Sequence, residues 1–268
     1  MVGSTAKGVV QLLFDLQLTT AHTALKHHRQ LAQMVDRVSN LLATERLPAT
    51  WAIADPANSC HTEQILGVYP AQEIAIAAES SWLGSGAKRA AVVSELNGRL
   101  VDAGDQSLEI SSLVMESSQL TSHLDVLVKK NINAICTCDS GATRKVSHRN
   151  RNTGTIKPLR YGLWNLLATA VFPSGRRGLR NMDGTWEVRP AVIRARNTSA
   201  TIELLWVRAI DLVQQQNTYL HALTQLLRKI AELQRQDKLS VETISDTVAR
   251  QRAQSNVKPT SSILRPAA

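Results

Sequence analysis

Apolar and polar positions along the chain alternate between two periods. Val9 to Phe14 holds five apolar residues in six positions and closes on Asp15. So short and apolar a run suits a strand buried on both faces, as in a parallel sheet. From Thr20 to Glu45 the period changes: Ala24, Leu31, Met34, Val35, Val38, Leu41 and Leu42 recur at three-and-four spacing, which predicts an amphipathic helix with one core face. The strand-like runs return at 49–54, 72–79, 108–115 and 133–138, each followed by an acidic or polar residue: Asp55, Glu79, Glu116 and Asp139. Helical patterns separate them at 62–66, 88–102 and 119–130.

The second half is less regular. Two stretches without periodicity, 140–158 and 173–190, flank an apolar run from Arg160 to Phe172 that reads as a strand with an irregular extension. Val192 to Arg196 reads as a short strand. Thr201 to Ile210 is another buried strand, with Asp211 at its end, followed by a helix from Val213 to Gln236. Leu239 to Ile244 closes as a last short strand with a helical turn from Ser245. The polar, proline-containing residues 251–268 read as a disordered tail. Seven or eight strands alternating with helices predict an α/β barrel or a doubly wound sheet. No GxGxxG follows a strand and no Walker motif occurs, which removes support for a nucleotide-binding sheet and favours a single barrel domain over residues 1–250.

Composition narrows the surroundings. A net charge of +9 and a pI near 9.8 favour anionic ligands. Nucleic acid is disfavoured, because aromatics make up only 4% and the basic loops lack interleaved stacking residues. The first residues make a poor signal peptide and no apolar stretch reaches transmembrane length, so the expectation is a soluble cytoplasmic protein with no membrane partner. Cys60, Cys136 and Cys138 form no disulfide framework in a chain of 268 residues; 136 and 138 read as buried thiols sharing one strand face.

In a barrel the chemistry sits at the carboxyl ends of the strands. Asp15, His61, Glu79 and His123 would reach that rim together with Asp55, Cys60, Glu116 and Asp139. Trp82, just past the third strand, is a candidate for stacking on a sugar ring. Arg144 and Arg149, clustered with Lys145 and Arg151, and a second group at Arg176, Arg177 and Arg180, offer charge-assisted bonds to phosphate or acidic sugar. Solvated rim and loop residues remain the alternative for all of these.

The order LLFDLQ, a helix ending RLPATWAI, EIAIAAESS, RYGLW, then TIELLWVRAIDL, a helix and LSVETI resembles a polysaccharide deacetylase of the NodB homology group, over roughly residues 8 to 250. The resemblance implies a distorted (β/α)7-type barrel and a place in carbohydrate metabolism. It puts Asp15 at the position of the catalytic base. It also implies that the divalent metal such as zinc normal to the family has lost its ligands. The metal-binding aspartate position is Leu16, the two histidine positions are Ala77 and Ser81, and TIELLWVRAI holds no histidine. Leucine and alanine offer no donor atom. Without the ion nothing acidifies the attacking water or polarises the acetamide carbonyl. No metal or other cofactor is therefore expected, and the resemblance implies a non-catalytic or strongly altered member that binds a glycan or regulates another enzyme. The alternative is an active carbon–nitrogen hydrolase on an amide-bearing sugar, using Asp15 and relocated ligands.

Overall fold

The computed structural model describes residues 7–17, 25–78, 82–83, 86–115, 122–138, 156–172, 188–197, 201–214 and 216–255. The parallel strands are β1 (Gly8–Asp15), β2 (Thr50–Ile53), β3 (Glu73–Ala77), β4 (Ser112–Met115) and β5 (Ala134–Thr137), then β7 (Trp164–Leu167), β8 (Ala170–Phe172) and β9 (Ile202–Arg208). A short β6 (Ile156–Pro158) runs antiparallel to β7, and β10 (Leu239–Val241) lies parallel to the start of β1. The helices are α1 (Leu25–Glu45), α2 (Cys60–Val68), α3 (Arg89–Asp105), α4 (Leu124–Lys129), α5 (Val188–Asn197), α6 (Ala209–Gln214), α7 (Gln216–Arg235) and α8 (Ile244–Ser255). Among the described residues no helix is long and apolar enough to cross a membrane.

The sheet order is β6-β7-β5-β4-β3-β2-β1-β9-β8, with β10 beside β1. Its two ends meet, because β7 and β8 are one stretch of chain. Ala168 N donates to Thr137 O at 2.9 Å, and the next amide, Thr169 N, donates to Leu204 O at 2.9 Å. The strand thus leaves β5 and joins β9 within two residues. Seven parallel strands (β1 to β5, the β7–β8 strand and β9) form the ring of a distorted barrel. The irregular run expected over 160–172 is this crossing strand, opened by a tight turn over Arg160–Gly162.

Side-chain alternation sorts the core. On β1, Val10, Leu12, Phe14 and Leu16 face outward into a cluster with α1, α5, α6 and α7. A second outer cluster packs β3, β4 and β5 under α3 and α4. The inner face is a third cluster: Leu13, Ala52, Ala75, Ala77, Val114, Ala134, Cys136, Cys138, Trp164, Leu166, Leu204 and Trp206. The two cysteines are buried thiols that form no disulfide, as expected of the core. Burial pushes the Cys136 thiol well up, with the charge of Glu73 adding to the shift.

Two segments differ from expectation. Residues 192–196 are part of helix α5, whose buried positions Ala191, Val192 and Ala195 follow helical spacing. The β-branched pair Val192 and Ile193 imitates a strand, but packing of that spaced stripe on β1 and β9 overrides the propensity. The chain is also helical past residue 250, to Ser255 in α8; 256–268 lie outside the described residues.

Helix α8 closes the amino end of the barrel, with Ile244 and Val248 reaching the inner cluster. A carboxylate holds it there. Glu73 Oε2 accepts from Thr50 Oγ1 at 2.7 Å and from Ser245 N at 3.1 Å, while Oε1 accepts from the hydroxyls of Ser112 and Ser245. Ile244 N donates to Thr50 Oγ1 at 3.1 Å. Two of the first backbone N–H groups of α8, unpaired within the helix, are thereby satisfied. Arg252 fastens the other end to Asn133 Oδ1 and Gly162 O at 2.9 and 3.0 Å.

Two stability changes follow. A β-carbon on Gly8 would overlap the backbone carbonyl of Ala195 in α5, so Gly8→Ala destabilises by about 1–3 kcal/mol through overpacking, read in urea melts. Glu73→Ala leaves several donors unpaired and destabilises by about 3 kcal/mol. The loss is non-additive with Ser245→Ala, because both remove the same bonds; additive losses would contradict this account.

Candidate functional site at the barrel mouth

Asp15 is the last residue of β1 and continues its inner face, two positions past Leu13. Its Cα is in register with Ala52 on β2 and Arg208 on β9. The carboxylate is 7% exposed, and Oδ1 accepts from Gln17 N at 3.1 Å. This bond to the backbone two residues on is an Asx-type turn that steers the chain away from the strand.

The next residue goes the other way. Leu16 N donates to Ala52 O at 3.0 Å, which keeps the strand alternation, and its side chain packs into the outer apolar cluster at 6% exposure. Ala77, one of the two resemblance-derived histidine positions, is buried on the inner face. Among the described residues no group of three or more His, Cys, Asp or Glu side chains is arranged to hold a metal ion.

The structure puts three other sequence candidates in the helical layer rather than on the inner face. His61 opens α2, where its N–H donates to the Ser59 cap at 3.3 Å and Nδ1 lies 3.5 Å from Gln64 Oε1. Gln64 itself reaches Ala32 O of α1, so this side of α2 faces the α1–α2 seam. Burial lowers the His61 pKa, with the nearby His28 adding to the effect and the Gln64 bond opposing it. His123 caps α4 in the left-handed region, φ 61°, and its ring Nε2 lies 2.9 Å from Ala87 O. A carbonyl only accepts, so Nε2 carries the hydrogen. The bond ties the approach to α3 to the start of α4, alongside the Arg89–Asp125 ion pair.

Trp82 is buried in the outer cluster with Ile76, Leu83 and Leu96. The Arg99 guanidinium lies 4.7 Å from its ring centroid and donates to Ala54 O at 2.7 Å and Ala77 O at 3.4 Å. One face of the indole is therefore covered by a cation that itself holds the ends of β2 and β3. Glu79, Arg144 and Arg149 lie outside the described residues, as do Ser81 and the loop arginines 176, 177 and 180.

Of Asp15, His61, Trp82 and His123, Asp15 alone continues the inner face of a strand at the mouth. Beside it the inner face of β9 contributes Trp206 and Arg208, neither of them singled out as ligand-facing from the sequence. The signal for Arg208 was present: a cation at the end of an apolar strand, at the height where Asp15 ends β1.

The chain matches no protein-family model and no curated protein. Its fold, by contrast, has clear counterparts among solved structures. Puue allantoinase superposes with a TM-score of 0.62 at 10% identity, over 96% of this chain and 94% of that one. A putative glycoside hydrolase/deacetylase from Parabacteroides distasonis gives 0.56 at 11% identity, over 93% and 73%. The 4-alpha-glucanotransferase from Thermococcus litoralis gives 0.60 at 9% identity, over 91% of this chain, which spans 40% of that one. At such identities the likeness is one of fold: the chain is a distorted (β/α) barrel.

The His61 shift gives a pH dependence of known sign. The folded state disfavours the imidazolium, so its pKa lies below the unfolded value of 6.5. This contribution is fully present above 6.5 and is lost as pH falls through the lowered value. Stability of the wild type therefore declines on acidification below about 6.5, and His61→Gln flattens that part of the profile. Identical slopes in the two proteins would remove His61 from the account.

Proposed function

We propose that this barrel is a carbohydrate-binding protein of polysaccharide-deacetylase type, in which metal-dependent hydrolysis has been lost and the mouth around Asp15 retains a glycan. The observation that carries the reading is the opposite orientation of two neighbours. Asp15 points into the barrel and is kept at the mouth, whereas Leu16, at the position the resemblance assigns to a metal-binding aspartate, is turned into apolar packing and has no donor atom. A carboxylate in that place accepts hydrogen bonds from sugar hydroxyls or an amide N–H, and such charge-assisted bonds orient a ligand without any ion. Arg208, in register with Asp15, adds a cationic donor on the same inner face. This favours sugars that also carry an acceptor such as a carboxylate or acetamido oxygen.

Two measurements test it. Elemental analysis of the purified protein is expected to find no stoichiometric zinc, cobalt or nickel; one tightly held ion per chain overturns the loss of hydrolysis. Titration with N-acetylglucosamine oligomers and with uronate-containing oligomers is expected to show binding of at least one of the two without acetate release. Asp15→Asn, which keeps an Oδ1 acceptor for Gln17 N, is expected to weaken that binding about tenfold while the protein still unfolds cooperatively. Failure of both oligomers to bind rejects the glycan reading, and acetate release that depends on Asp15 restores the hydrolase.

A further inference from the structure

Inside the ring, below Asp15, two polar groups lack partners. Gln11 and Trp206 belong to adjacent strands and share the inner face: Gln11 is in register with Leu204, and Leu13 with Trp206, one inward pair further along. Gln11 is 1% exposed and Trp206 is 0% exposed. The Gln11 amide nitrogen donates to Thr243 O at 3.4 Å. That bond decides the orientation of the amide, since a flip would set its oxygen against another carbonyl oxygen. Gln11 Oε1 is left as an acceptor with no donor, and Trp206 Nε1 is left as a donor with no acceptor.

Buried polar atoms without partners are rare in folded proteins, because each retains the full penalty of leaving water. Here one acceptor and one donor stand on neighbouring strands, within one inward pair of each other. Both side chains extend from the same inner face of the parallel β1–β9 pair. Neither atom finds the other, so the missing chemistry is defined. It is a group that accepts one hydrogen bond and donates one.

We infer that the barrel interior holds a hydrogen-bonding guest that accepts from Trp206 Nε1–H and donates to Gln11 Oε1. Two sources have that chemistry: a structural water, and the amide or hydroxyl of a small organic ligand reaching below the mouth. The inference is independent of the glycan reading, because it concerns the inner pair Gln11 and Trp206 and not Asp15.

The test is the indole N–H region of a nitrogen–proton correlation spectrum of the full chain, with Trp206→Phe identifying the Trp206 signal among the five tryptophans. The expected result is a Trp206 signal shifted downfield into the hydrogen-bonded range. It should cross-relax with a proton that is not the protein's own, and Gln11→Leu should move it upfield. Cross-relaxation at the water frequency, with nothing extracted on denaturation, identifies water. Cross-relaxation to a non-water proton, with an amide- or hydroxyl-bearing molecule recovered by mass spectrometry after denaturation, identifies an organic ligand. A Trp206 signal in the unbonded range without such cross-relaxation overturns the inference. The wild-type spectrum alone decides this should Gln11→Leu fail to fold.

Discussion

Two consecutive amides carry the architecture. Ala168 N bonds the carbonyl of Thr137 on β5, and Thr169 N bonds the carbonyl of Leu204 on β9. The chain between β7 and β8 therefore belongs to both ends of the sheet. A parallel sheet with exposed edges presents unpaired backbone groups on both sides, and closure removes them. Everything called inner or outer in this protein derives from that closure. The sign of each side chain along β1, whether toward Ala52 and Trp206 or toward α1 and α7, has functional meaning only because the sheet is a ring.

Closure leaves the amino end to be sealed, and there the protein adds a carboxylate to the apolar Ile244 and Val248 of α8. Glu73 gathers a helix start and hydroxyls from β2, β4 and α8 around one half-buried carboxylate. The opposite end is treated differently. At the mouth Asp15 has a backbone amide as a local partner and a cationic neighbour in register. The acid at the bottom is consumed by architecture, whereas the acid at the top stands where barrel chemistry is done. Two carboxylates on the same inner surface thus have different surroundings, set by which end of the strands they occupy.

Much of this is legible in the residues. The apolar runs that end on a polar residue mark β1 to β5 and β9 in order, because strands buried on both faces cannot hide their apolar composition. Strand parity alone predicts that Asp15 and Leu16 face opposite ways. What is not legible depends on distant partners. Ala191, Val192 and Ala195 make a helix only because β1 and β9 offer a surface for that stripe. Glu73 reads as an ordinary strand-start residue until Ser245 arrives beside it. His61, Trp82 and His123 follow strands in sequence, as rim residues should, yet each lies in the helical layer: His61 beside Gln64 of its own helix, Trp82 under Arg99, and His123 bonded to Ala87 O. Gln11 was the sixth, polar residue in an otherwise apolar run, and nothing short of coordinates says that its oxygen and the Trp206 nitrogen both end without partners.

The placement of β1 has a bearing on how the molecule comes into being. It precedes every other described strand in the sequence, yet one flank is taken by β9 along nearly its whole length and the other begins with β10. Until those later segments are synthesised, this buried strand has only β2 beside it. During translation it waits with an open edge, a condition that invites chaperones or wrong pairing. Assembly of the ring is therefore completed only when β9 and β10 return to β1.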